Sequence, residues 1–87
     1  MEIEFDPNKA SSNLIKHGIS FEESSTALLD PLALVREDPD AEGENRWVLI
    51  GMSNQARLLT VVYTLRNERI RLISARKATK KEAKIYA

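Results

Sequence analysis

Acid and apolar residues alternate at the start of the chain, in Glu2-Ile3-Glu4-Phe5, and that period of two puts Ile3 and Phe5 on one side of a short edge strand. The period then changes. Asp6 followed by Pro7 reads as an N-cap and first helical residue, and Gly18 as a left-handed stop, so the pattern predicts a helix over about 7–17. Ser20 with Glu23 three residues on is a capping box, and Phe21, Ala27 and Leu28 give a second helix its apolar side before Asp30-Pro31 ends it. A strand is expected to begin at Leu32-Ala33-Leu34-Val35. Past an acidic, turn-rich loop over 36–45, further strands are expected over 46–53, 57–65 and 69–76, joined by turns at 54–56 and 66–68. Thr79 and Glu82 form a second capping box that opens a terminal helix. The order β-α-α-β-β-β-β-α is that of one α+β domain over 1–87, with a mainly antiparallel meander sheet packed by helices.

Composition narrows the class. A chain of 87 residues has a modest core, and the absence of cysteine leaves neither a disulfide nor a thiolate metal site to reinforce it. A single histidine, His17, with no H-x-x-x-H or D-x-D spacing, argues against a transition-metal or calcium site. The N-terminus lacks the basic and apolar regions of a signal peptide, and no apolar run nears the roughly 20 residues that span a bilayer. A cytoplasmic protein without membrane contact is expected.

Thirteen Lys and Arg balance thirteen Asp and Glu, yet the signs are segregated. Residues 1–44 carry eleven acids against three bases, net −8, and residues 45–87 carry ten bases against two acids, net +8. Either an anionic partner meets the basic half, or folding neutralises one half with the other. In the last strand Arg69 and Arg71 share one face while Ile70 and Leu72 share the other. Arg76 and Lys77 precede a helix N-terminus, whose free N–H groups attract anions, and Lys80 and Lys81 in its first turn oppose the helix dipole. A bound phosphate accounts for these lysines; simple solvation, at a cost of about a few tenths of a kcal/mol, is the other account.

The stretches FDPNKASSNLIKHGISFEE, the Asp30-Pro31 pair, RWVLIG, VVYT and RLISARKATKKE followed by Tyr86 together resemble the BrnT family of bacterial type II toxins, the ribonucleases of BrnT–BrnA toxin–antitoxin pairs. The resemblance implies the compact fold of RelE-like toxins and RNA cleavage that halts translation, with no cofactor. It also implies neutralisation by a BrnA-like antitoxin with a ribbon-helix-helix domain, through which alone the toxin reaches DNA. Two departures stand out. Ser24 replaces the Ala common in the family and is expected near a helix surface, and the chain ends at Ala87, directly after a Tyr that many relatives extend beyond.

Metal-independent RNA cleavage needs a base for the 2′-hydroxyl proton, cations for the charge developing on phosphorus, and an acid for the 5′-oxygen. His17, the one side chain of near-neutral ordinary pKa, is the default acid or base, although a His in the last helical turn also interacts with the helix-end carbonyls. Tyr63 offers a hydroxyl or a stacking surface, or is ordinary packing; Glu82 is a possible base already explained by its capping box. Arg46, Arg57, Arg71 and Arg76 are the preferred phosphate ligands, joined by Lys77 and Lys80, and Arg57 and Arg76 are also counted as catalytic. Arg66 and Arg69 flank a turn and are read as solvated, and Trp47 as core or partner interface. Besides a ribonuclease, a non-catalytic nucleic-acid-binding module and an interaction subunit for an acidic partner fit the same basic half.

Overall fold

Each expected element forms, and the caps explain where most of them begin. The computed structural model describes residues 2–86, in which the chain runs β1 (Ile3–Glu4), α1 (Pro7–His17), α2 (Phe21–Ala27), β2 (Leu34–Glu37), β3 (Trp47–Met52), β4 (Leu58–Arg66), β5 (Arg69–Lys77) and α3 (Lys80–Tyr86). Asp6 caps α1 by accepting from the Asn8 amide at 2.8 Å, and Gly18 ends it at φ 71°. Ala87, and with it the expectation about the chain's end, lies outside the described residues.

The strands form one sheet in the order β1-β5-β4-β3-β2. β2 to β5 are the expected antiparallel meander, and β1 adds a parallel edge, with Ile3 opposite Ile70. Helices α1 and α2 cover one face, where Ile19, Phe21 and Ala27 pack on Leu49, Leu59, Val61, Leu72 and Ala75. Phe5 closes this core edge-on against Phe21 at 5.3 Å. At Gly51 a β-carbon would stand 2.7 Å from the Ala27 carbonyl oxygen, so the close approach of the end of α2 to β3 needs a glycine there. Asn13, buried on α1, accepts from the Ala75 amide at 3.0 Å and donates to the Ala75 and Ile19 carbonyls at 2.9 Å each, so its amide pairs with the open edge of β5.

Three local expectations need correction. β2 starts at Leu34 and includes Arg36 and Glu37, because Asp30 holds 30–33 in a turn: its carboxylate accepts from the Leu32 amide and its carbonyl from Ala33. Ser24 is fully buried, not at a helix surface, and its hydroxyl is satisfied by the Ser20 carbonyl at 2.7 Å. The Ser20 cap is one-sided: its hydroxyl accepts from the Glu23 amide at 3.0 Å, while the Glu23 carboxylate goes elsewhere.

Half of the segregated charge is cancelled in space. Of five ion pairs among the described residues, four join an acid of the first half to a base of the second: Glu23–Arg57, Glu44–Arg66, Glu2–Arg69 and Glu4–Arg71. Arg66 and Arg69, expected to be solvated, are therefore paired as well as exposed.

Candidate functional site

Because α1 and α2 occupy one face of the sheet, a ligand has access to the other. Directly paired residues of antiparallel strands share a face, so the register lays out rows across it. Leu34, Ile50, Thr60 and Arg76 form one row, and Arg36, Val48, Val62 and Ser74 the next. Thr64 and Arg71 form a third, and Arg46, one residue before the Trp47–Tyr63 pair, falls on the other side of Thr64. Arg36, Arg46, Arg71 and Arg76 are thus carried to one face by β2, the start of β3, and β5.

Helix α3 crosses the first row and fixes Arg76. The terminal nitrogens of Arg76 donate to the two Glu82 oxygens at 2.7 and 3.0 Å, and Glu82 Oε1 also accepts from the Thr60 hydroxyl at 2.9 Å and the Thr79 amide at 2.8 Å. The Arg76 guanidinium above all, with the Thr79 amide and Thr60 hydroxyl behind it, outweighs desolvation and holds the Glu82 carboxyl down at about 2. Glu82 therefore stays ionised at neutral pH and is a poor base. The Arg76 side chain is 43% exposed and Glu82 only 17%, so the cation faces outward on a shielded anchor. Beside this pair opens a cleft of about 210 Å³ lined by Leu34, Arg36, Val48, Ile50, Glu82 and Ile85. An apolar floor with Arg36 in its lining, and Arg76 bonded to the Glu82 that also lines it, can seat a ring while the attached phosphate meets a cation.

The Glu82 anchor also gives the fold an acid limit. A carboxyl lowered from 4.5 to about 2 adds stability that is complete above pH 4.5 and drains away as pH falls toward 2, up to about 3 kcal/mol at full ionisation. Glu82→Gln is expected to lower the melting temperature at pH 7 and to converge with the parent near pH 2. Parallel melting curves for the two proteins across pH 2–7 would refute this role.

The other expected site residues are dispersed. Arg57 lies on the helix side, where its guanidinium makes two bonds to Glu23, one from Nε at 2.9 Å, while the Ser53 hydroxyl donates to the same carboxylate at 2.7 Å. It does not join the patch expected with Arg46, Arg71 and Arg76. Alternation along β5 likewise sends Lys77 away from Arg76, to the Leu59 side of the sheet, where it is exposed and its charge helps lower the Glu23 pKa after the larger effects of Arg57 and Ser53. Tyr63 pairs with Leu72 on the helix side and stacks on Trp47 at 6.1 Å, and burial pushes its phenol above its ordinary range. His17 lies half-buried at the end of α1 in a shallow depression beside Lys16, Ile73 and Ser74, outside the cleft that Glu82 lines. Lys80 and Lys81 are exposed in the first turn of α3. Sequence reasoning passed over Arg36, placed in a loop, and Thr60, whose signal is a polar residue two and four positions from Val62 and Thr64 inside an apolar strand. Asn13 gave no signal, since its partners lie 6 and 62 residues away.

Among the described residues no three His, Cys, Asp or Glu side chains are grouped to hold a metal ion, and no helix is long and apolar enough to cross a membrane. The fold matches the crystal structure of the Brucella abortus ribonuclease toxin BrnT with a TM-score of 0.66 and 25% identity, covering 92% of this chain and 99% of that one. A comparison with curated proteins finds no match. This architecture, a five-stranded mixed sheet with three helices, is that of a small ribonuclease toxin. Residues 5–82 match the family described as the ribonuclease toxin, BrnT, of type II toxin–antitoxin systems. The chain belongs to the BrnT family.

Proposed function

We propose that this chain is a metal-independent endoribonuclease that inhibits translation in the cytoplasm and is held inactive by a BrnA-like antitoxin bearing a ribbon-helix-helix domain. The observation that carries this reading is the outward-facing Arg76 guanidinium, locked on Glu82 beside an apolar cleft. An RNA base enters the cleft and the scissile phosphate meets Arg76. The 2′-oxygen then attacks phosphorus, the bond from phosphorus to the 5′-oxygen breaks, and a 2′,3′-cyclic phosphate and a 5′-hydroxyl result. Arg76 stabilises the charge that builds on the non-bridging oxygens. The 2′-hydroxyl proton passes to solvent and the leaving oxygen takes one from it; His17 and Tyr63, which lie off this face, are given no step. Arg46, Arg71 and Lys80 contribute binding to the RNA backbone.

The antitoxin is proposed to cover part of the strand and helix of residues 69–84, or the sheet face beside them. Leu34, Val35 and Ile85 leave apolar surface exposed next to the arginines, suited to a partner with both apolar and acidic groups. The test uses purified protein and single-stranded RNA in EDTA, followed by addition of the antitoxin. Cleavage in EDTA that stops when the antitoxin raises the melting temperature is expected. RNA that is bound but never cut would identify a binding module instead, and antitoxin that binds while cleavage continues would remove the shared surface.

A further inference from the structure

We infer that Arg46 and Arg71 form a second phosphate site on the Arg76 face, spaced to hold the backbone of the same RNA strand at a fixed distance from the bond that is cut. This deepens the ribonuclease reading and rests on it.

Arginines that lie close together on this face differ in how far the fold itself uses them. Arg66 is committed, with two bonds to Glu44 at 2.9 and 3.2 Å. Arg71 is not: its nearest acid is Glu4 at 3.9 Å, beyond hydrogen-bond reach, so its N–H groups keep their capacity to donate. Arg46 is odder still. Its Nε is buried and has no hydrogen-bond partner among the described residues, a donor that folding has desolvated without replacing its water. Both flank Thr64, whose hydroxyl is turned to the Asn45 carbonyl at 2.6 Å and so leaves the position between the guanidiniums to an acceptor from outside. Arg46 and Arg71 both help lower the Glu44 carboxyl behind the larger effect of Arg66, so their fields overlap on this face, at a carboxylate that Arg66 already holds. Two forked donors on either side of one residue of the same sheet face suit the tetrahedral oxygens of a phosphate.

The register fixes the spacing. Arg76 pairs with Thr60 and Arg71 with Thr64, and four residues of strand separate these rows by about 13 Å. A stacked nucleic-acid strand rises about 3.4 Å per phosphate, so the two sites stand roughly four nucleotides apart, and fewer where the strand is extended. Between them lies the Arg36, Val48, Val62 and Ser74 row, without an aromatic ring to select a base. The site therefore measures length and reads no sequence.

The test measures kcat/KM for RNA oligonucleotides from two to eight nucleotides, lengthened separately on each side of the cut, alongside binding of uncleavable 2′-O-methyl strands at several salt concentrations. In the parent protein kcat/KM is expected to rise about tenfold or more as phosphates are added within roughly four nucleotides of the cut on one side, then to level off. In Arg46→Gln, and separately in Arg71→Gln, that step should shrink to under about threefold. The salt slope of binding should fall by about 0.7 for each lost contact. Melting curves establish that each variant is folded, and two independent variants keep the test open if one is not. Cleavage that ignores length, or a full step retained in both variants, overturns the second site while leaving the ribonuclease reading intact. No cleavage of any oligonucleotide, in a protein that is folded, overturns that reading and this inference with it.

Discussion

Arg76→Ala is expected to lower the rate of RNA cleavage by about 100- to 1000-fold, the loss that follows removal of one preorganised donor from a developing oxyanion. The protein should remain folded, because Glu82 keeps its bonds to the Thr79 amide and the Thr60 hydroxyl and is partly open to water. Arg76→Lys should recover little. A lysine ammonium is a point charge that cannot donate to both Glu82 oxygens and present a second flat edge to phosphate. Single-turnover cleavage, measured on material shown by circular dichroism to be folded, gives the answer directly. A folded Arg76→Ala variant cutting RNA within tenfold of the parent would move the chemistry elsewhere on the molecule.

Arg57→Ala is expected to act on stability instead. Glu23 is 4% exposed, and its carboxyl is held below the ordinary range chiefly by Arg57, with Ser53 assisting and burial opposing. Removing the guanidinium strands a charge inside the protein, the most damaging way to break such a pair. The melting temperature at pH 7 should drop by roughly 10–20 °C in a domain of this size. Two features separate this from loss of a catalytic group. The deficit should shrink as pH falls and the orphaned carboxyl takes up a proton, and Glu23→Gln added to Arg57→Ala should restore part of it. An Arg57→Ala protein that melts like the parent yet has lost cleavage would return Arg57 to the active site.

The chain's pattern was enough for the elements and their caps. Asp6-Pro7, Gly18 and the Thr79–Glu82 pair are interactions over two to four residues, and the backbone groups they satisfy are set by the local sequence. Alternation over 69–72 was equally legible, and with it the separation of Arg69 and Arg71 from Ile70 and Leu72; the register shift at Val62/Tyr63 that brings Arg71 and Arg76, five residues apart, onto one face was not. Where a distant partner intervened, local reading failed. The Glu23 carboxylate leaves its capping box for Arg57, 34 residues on, because a bidentate charged pair in a buried setting outweighs a second bond to a helix end. Asp30 delays β2 by two residues, since its carboxylate is already engaged with the Leu32 and Met52 amides and the Tyr86 hydroxyl.

What the sequence by itself determined, then, is the α+β order, the caps, the family resemblance and the fact that cations crowd the second half of the chain. Which of those cations face a ligand was decided only by the tertiary structure. Arg57 and Arg76 are alike in sequence, each at the end of a strand and each bound to a glutamate, but β-strand alternation and the placement of α2 and α3 put them on opposite faces of the sheet. Pairing removed half of the net charge that segregation along the chain seemed to promise, because Coulomb attraction depends on distance in space and a sheet brings residues 2 and 69, or 4 and 71, side by side. The cations left available for RNA are those whose donors the folded chain does not use up: Arg76, which stays 43% exposed on its Glu82 anchor, Arg71, whose nearest acid stands at 3.9 Å, and Arg46, whose Nε has no hydrogen-bond partner among the described residues.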